Sequence, residues 1–325
     1  MSIITEKNKA NEVIKRFRKH KASMAIFCTA SHWNTEAILL AASRYAKKYN
    51  IVNIPLAVAI TFNYKYMPQS QRVTYSGDAK TGFISIMEHL NILCDRIESP
   101  YKNVTVLPHL DHADPVTDKW ALTEGLPYLA SVMFDAQKYS FNDNMKITKD
   151  YVDTYGKYVL VEGVMEGLSV DGHTIAKEDN NYIEKALDYY SNTGIDFLVA
   201  DLGTEQQSHE IGKCEYRRNR AREITCNLGK EILVLHGTSC LSEDQMSTLA
   251  QDGIIRVNMW TRIVREAGQY AAERVVKRYE KILRGDFEPT ESKQYVSDSI
   301  EKAADTMEKI LDVLGYSKFG ELGKH

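Results

Sequence analysis

The sequence predicts an α/β fold, a (β/α)8 TIM barrel with extra N- and C-terminal helices. Three observations carry that expectation. Eight short apolar runs recur along the 325 residues, each followed by a helical pattern or a long connection. Several runs are almost continuously apolar instead of alternating, as parallel strands covered on both faces require. No G-x-G-x-x-G follows the first run, which removes the main cue for the competing open doubly wound sheet. Eight strand–helix units in a chain of this length point to a closed barrel.

The segment from about Glu6 to Lys19 reads as a charged helix covering one end of the body. Strands are expected at Met24–Cys28, Pro55–Thr61, Val104–Leu110, Leu129–Phe134, Tyr158–Glu162, Phe197–Asp201, Ile232–His236 and Ile254–Asn258. Between them the 3.6-residue pattern predicts helices such as Thr35–Tyr49, Gly82–Arg96, Asn142–Tyr155, Asn180–Thr193 and Ser242–Gln251. Two last helices, about Thr261–Leu283 and Ser292–Leu314, exceed what a barrel needs. Gly285, Asp286, Pro289 and Thr290 between them read as a linker. The expectation is one barrel domain over residues 1–325, with a C-terminal helical appendage from about 286 to 325.

A 43% hydrophobic composition can bury a substantial core. The net charge of -3 and pI of about 6.3 leave no field favouring nucleic acid or a membrane surface. No apolar run reaches the roughly 18 residues of a membrane span. The first residues (Glu6, Lys7, Lys9, Asn11, Glu12) contain no apolar signal core. Cys28, Cys94, Cys214, Cys226 and Cys240 are scattered, odd in number and without CxxC spacing. That predicts reduced thiols in a cytoplasmic protein, with neither a disulfide frame nor a cysteine metal knuckle.

In a barrel of this kind the C-terminal strand ends form the reactive face. Thr61 falls at the second end, Asp111 and His112 at the third, Asp135 at the fourth, Glu162 at the fifth and Asp201 at the sixth. His236 ends the seventh, followed by Gly237-Thr238-Ser239, and Asn258 ends the eighth. Adjacent side chains on an extended chain point to opposite sides, so Asp111 and His112 flank one bound group only if a bend intervenes. Two imidazoles from separate strands could converge on one cation, and an open coordination position would suit catalysis. The plainer reading is a strand-end turn with solvated polar residues, with Asn258 as a strand-end cap and Ser239 as an N-cap. Lys177 and Lys230 end no predicted strand, which argues against a Schiff-base mechanism.

Six segments, in order between Ala25 and Arg262, resemble the class II, metal-dependent ketose-bisphosphate aldolase family. Leu110-Asp111-His112-Ala113 resembles its LDHG segment and Ser131-Val132-Met133-Phe134-Asp135 its SVM-D strand. Phe141-Asn142-Asp143-Asn144-Met145 with Thr148-Lys149 resembles its F-EN-…TK helix start. Gly194-Ile195-Asp196-Phe197-Leu198-Val199-Ala200 resembles GVD-LAVA, and Leu235-His236-Gly237-Thr238-Ser239 resembles LHGGS. Gly253-Ile254-Ile255-Arg256-Val257-Asn258 resembles the final GI-K-N strand.

The resemblance implies a zinc-dependent aldolase using one Zn2+ per chain, with Asp111 as catalytic acid/base and His112 and His236 as ligands. It also implies a sugar or sugar-phosphate substrate contacted by Thr61, Gly203, Gly237, Ser239 and Asn258, and a homodimer or higher homo-oligomer. The family's third zinc ligand lies in a GTSHG-like loop, which here reads Gly203-Thr204-Glu205-Gln206-Gln207-Ser208-His209-Glu210. Ungapped, the ligand position is Gln206; with an insertion it is His209, which is preferred because imidazole is the better zinc donor. Glu205 could also coordinate. The glycine beyond that ligand is Gln207 or Glu210, and the family's N-DT pattern reads Asn258-Met259-Trp260-Thr261. The GGSG turn has become Gly237-Thr238-Ser239-Cys240, and the paired glutamates of VEAELG survive only partly, in Val161-Glu162-Gly163-Val164 and Glu166. These departures leave open a metal-dependent epimerase or other carbon–carbon lyase acting on an unphosphorylated substrate, or a sugar-binding barrel without activity.

Overall fold

The computed structural model describes residues 2–168, 181–208, 211–212, 214–286 and 292–321. Eight parallel strands close into a barrel in sequential order, the last pairing back onto the first. They are β1 (Met24–Cys28), β2 (Ile54–Thr61), β3 (Val104–Ala113), β4 (Ser131–Phe134), β5 (Leu160–Val164), β6 (Phe197–Val199), β7 (Leu233–Leu235) and β8 (Ile254–Met259). Their residues are buried throughout except the half-buried Thr105, because one face lines the lumen and the other meets helices.

The helices are α1 (Lys7–His20), α2 (His32–Tyr49), α3 (Gln69–Val73), α4 (Ala79–Cys94), α5 (Lys119–Leu122), α6 (Phe141–Tyr155), α7 (Tyr182–Thr193), α8 (Arg218–Leu228), α9 (Glu243–Ser247), α10 (Thr261–Lys277), α11 (Tyr279–Leu283), α12 (Ser292–Val313) and α13 (Lys318–Glu321). Helix α1 covers the N-terminal end of the barrel, burying Ala10, Val13, Ile14 and Phe17. Its Lys7 pairs with Asp196 at 2.7 Å and its Arg18 donates to the Glu231 carbonyl, both just ahead of strands. The C-terminal helix α12 lies against α2 and α10, with Ala303, Ala304, Met307, Ile310 and Leu311 buried. Beyond it, the Tyr316 hydroxyl accepts the Ala25 N–H of β1. Among the described residues no helix is long and apolar enough to cross a membrane.

Several boundaries move for identifiable reasons. Helix α2 begins at His32, ahead of the predicted Thr35, because the Ser31 side chain accepts the Asn34 N–H as an N-cap. The predicted helix Thr261–Leu283 breaks at Arg278 into α10 and α11. The predicted Ser242–Gln251 helix divides into α9 and a 3-10 turn over Leu249–Asp252. Strand β5 runs over Leu160–Val164 instead of Tyr158–Glu162, with Tyr158 left exposed, so Glu162 sits mid-strand and not at an end. Strand β3 continues past Leu110 to take in Asp111 and His112.

One expectation about the cysteines is corrected. Cys214 and Cys240 form a disulfide with Cα atoms 5.8 Å apart, while Cys28, Cys94 and Cys226 are free. Their 26-residue separation hides this, because only the folded barrel brings the loop after β6 against the turn after β7. Pro289 and Thr290 of the expected linker, and Lys177, lie outside the described residues.

Candidate active site

The site is organised by a defect in β3. Leu110 pairs with Val132 of β4, yet the next partners are Ala113 and Phe134, so β3 spends one extra residue there. His112 absorbs the mismatch with a φ of 46°, in the left-handed region. For a residue other than glycine this costs roughly 1–3 kcal/mol and needs surrounding structure to hold it. The bulge turns His112 back toward the lumen. Asp111, paired with Thr61 of β2, lines the same cavity. This is the bend that the adjacent Asp–His pair requires.

His236 follows β7 directly, across the mouth. One ligand atom each from Asp111, His112 and His236 lies within 4.8 Å of the others, and all three residues are buried. The two imidazole centroids are 5.2 Å apart with planes at 75°. Each ring is tied to a carboxylate behind it. His112 Nδ1–H donates to Asp135 Oδ2 at 2.8 Å, and His236 Nε2–H donates to Glu162 Oε1 at 3.1 Å. A carboxylate only accepts, so these contacts assign the protons. His112 keeps its Nε2 lone pair and His236 its Nδ1 lone pair, the arrangement that metal-ligating histidines use. Burial works to lower the His112 pKa, but the Asp111 charge, the Asp135 hydrogen bond and charge, and Glu162 outweigh it and hold it above the usual value. Burial raises the Asp135 pKa, and its bonds to His112 and Gln137 more than reverse that.

Above the trio is a cavity of about 60 Å³, several times the ~10–15 Å³ that one water needs. Asp111 Oδ1, Ser239 Oγ, Asn258 Nδ2 and Gln206 Nε2 are buried beside it without hydrogen-bond partners. Each orphan of this kind costs about 1–3 kcal/mol in an empty site. Four of them around one cavity, with two free imidazole nitrogens, suit a cation and a polyhydroxylated ligand.

The description "Fructose-bisphosphate aldolase class-II" matches residues 8–318. The chain belongs to that family. It is a carbon–carbon lyase with metal-dependent aldolase activity. The fructose-bisphosphate aldolase of Streptococcus pneumoniae is 25% identical over 237 residues, 69% of this chain and 76% of that relative. That of Giardia intestinalis is 28% identical over 169 residues, 49% of this chain and 50% of its own. A solved fructose-bisphosphate aldolase from Campylobacter jejuni superposes with a TM-score of 0.72 at 16% identity, over 96% of this chain and 95% of that one. This last likeness is one of fold.

In this aldolase the residues singled out from sequence separate into groups. Asp111, His112, His236, Gly237, Ser239, Asn258 and Thr61 all line the cavity. The Thr61 hydroxyl braces the loop after β2, donating to the Met67 carbonyl and accepting the Gln69 N–H. Gly203 does not line the cavity. Its φ of +77° serves a chain crossing where a Cβ would stand 2.1 Å from the Glu215 carbonyl oxygen. Asp201 turns away to Arg217 at 3.3 Å. Gln206 does line the cavity, whereas His209 lies outside the described residues.

Three contributors escaped the sequence reading. Tyr64 stacks on His112 at 4.2 Å with an 8° interplanar angle. Nothing in its long loop announces this. Arg256 sits wholly buried in the lumen. Cys28 contacts Asn258 Oδ1 at 3.3 Å and Asp111 Oδ2 at 3.7 Å. It closes β1, so strand-end logic extended to the first strand finds it.

Proposed function

We propose that Asp111, His112 and His236 form the centre at which this aldolase reversibly cleaves a ketose phosphate or related polyol ketone, with one Zn2+ per chain. The observation that carries the reading is the convergence of these three buried groups, with the two imidazoles held in opposite tautomers by Asp135 and Glu162. Nitrogen donors backed by carboxylates suit zinc. The names of the relatives support the sugar-phosphate class.

A cation held there supplies Lewis acidity to the substrate's ketone and adjacent hydroxyl. The protein supplies the rest. Asp111 Oδ1, unpartnered and facing the cavity, takes the proton from the hydroxyl on the carbon across the scissile bond as that bond breaks. The hydroxyl becomes the aldehyde product, the electron pair stays on the ketone half, and a proton returned to that carbon completes the cleavage. Asn258 Oδ1 faces the Cys28 thiol, so Nδ2 is the end that donates to a substrate oxygen. Ser239 Oγ, in the turn after Gly237, binds the terminal phosphate with neighbouring N–H groups. His209 is the third ligand in this reading. Gln206, whose amide already faces the cavity, is the competing donor and Glu205 a further one.

The same reading takes the protein as cytoplasmic and homo-oligomeric. The free thiols Cys28, Cys94 and Cys226 support the first, and the Cys214–Cys240 bridge counts against it. Exposed Val276, Tyr279 and Leu283 support association.

The test is elemental analysis of freshly purified protein with an aldol assay of dihydroxyacetone phosphate against a panel of aldehydes. About one transition metal per chain and chelator-sensitive carbon–carbon bond formation are expected. Metal-free protein that remains fully active refutes the reading.

A further inference from the structure

Beneath the metal trio a polar layer crosses the lumen where aliphatic side chains normally fill a barrel. Arg256 of β8 and Glu162 of β5 are both fully buried there. Arg256 Nη1 donates to Glu162 Oε2 at 2.8 Å, and its Nη2 donates to Ser131 Oγ at 3.0 Å. Ser131 Oγ in turn meets His109 Nδ1 at 2.8 Å, so the layer ties β8 and β5 to β4 and β3. The other oxygen of Glu162 is the acceptor for His236 Nε2–H. A buried ion pair stabilises a fold little better than well-packed apolar side chains of similar volume. Stability alone therefore does not account for this pair.

We propose that Arg256 is a positioning residue for the metal centre: by engaging one oxygen of Glu162 it aims the other at His236, and that acceptor holds the His236 proton on Nε2. The inference rests on His236 being a metal ligand through Nδ1. Arg256 has N–H groups only and a carboxylate has acceptors only, so the chain Arg256→Glu162←His236 permits one direction at each link. With Nε2 protonated, Nδ1 is bare toward the cavity. Among the described residues no other hydrogen bond to the His236 ring fixes its proton.

The sharpest test replaces the carboxylate with an amide of the same shape. In Glu162→Gln the guanidinium claims the amide oxygen, which leaves the amide NH2 facing His236. The imidazole must then accept at Nε2 and carry its proton on Nδ1, the nitrogen needed by the metal. Zn2+ affinity, measured by chelator competition, is expected to fall about 10–100-fold, the usual effect of altering a group behind a ligand. Long-range ¹H–¹⁵N spectra of metal-free protein should show His236, identified by its missing signal in His236→Gln, as the Nδ1–H tautomer. Adding Arg256→Met frees the amide to turn its oxygen to His236. The double variant should recover the Nε2–H tautomer and most of the affinity.

Recovery of this kind is something a merely structural role does not produce. If Glu162→Gln binds Zn2+ as tightly as wild type, or the double variant stays as weak as the single one, the inference is overturned. If Glu162→Gln does not fold, the double variant alone decides by its His236 tautomer, with Nδ1–H refuting the proposal. Wild-type protein that binds no Zn2+ removes the underlying assignment of the centre and the inference with it. Tight wild-type binding with unaltered variants overturns the inference alone.

Discussion

Asp111→Asn is the most informative single substitution at the centre. Asp111 is 4% exposed, and among the described residues its Oδ1 has no hydrogen-bond partner and its Oδ2 meets only the Cys28 thiol, at 3.7 Å. An isosteric amide therefore loses no strong hydrogen bond, and the stability change should stay within about 1 kcal/mol. His112 and His236 keep their carboxylate partners, so metal content should be retained. The lost function is proton transfer at the substrate hydroxyl. Positioned acid/base catalysis is worth roughly 10²–10⁴-fold, which is about 3–5 kcal/mol of barrier at 1.36 kcal/mol per decade. Melting temperature, metal content and turnover, measured on one preparation, separate these effects. Turnover near wild type with full metal removes Asp111 from the proton-transfer role. Loss of the metal instead makes Asp111 chiefly a ligand and refutes the division of labour proposed above.

Asp135→Ala should weaken Zn2+ binding about 10–100-fold by freeing the His112 ring, and unchanged affinity in chelator competition counts against the tautomer assignment. His209→Ala should weaken zinc binding markedly while Gln206→Ala changes it little; the reverse order assigns the third position to Gln206. The raised His112 pKa stabilises metal-free protein below the unfolded value of about 6.5, and that stability is lost as pH rises through the folded pKa. A cation requires the neutral ring, so the melting-temperature gain from Zn2+ should grow from pH 6 to pH 8, and a gain that shrinks contradicts the ligand role. Gly203→Ala combines left-handed backbone with a 2.1 Å approach to the Glu215 carbonyl oxygen. It should cost about 2–5 kcal/mol, lowering the melting temperature while sparing turnover per folded molecule, since Gly203 lies off the cavity.

The barrel was legible because parallel strands buried on both faces write themselves as apolar runs. All eight appear in the sequence, most within two residues of their true ends. The largest single displacement is at the C-terminal end of β3, three residues beyond the expected Leu110, and β5 shifts by two residues at both ends. At β5, exposed Tyr158 reads as a strand residue, and Glu162, read as a strand end, proves to be a lumen residue paired with Arg256. The Cys214–Cys240 bridge was invisible because spacing along the chain carries no information about which barrel loops touch.

Residue types and their order alone placed Asp111, His112 and His236 at strand ends on one face, since strand ends in a closed barrel converge. They could not determine which way His112 points. Strand periodicity sends it away from Asp111, and only the extra residue in β3, set by pairing with β4, brings it back. Nor could they assign the protons. Which nitrogen of each imidazole is bare depends on Asp135 and Glu162, and the orientation of Glu162 depends on Arg256, 94 residues away. Those are contacts between strands that meet only when the barrel closes, so tertiary structure decided them.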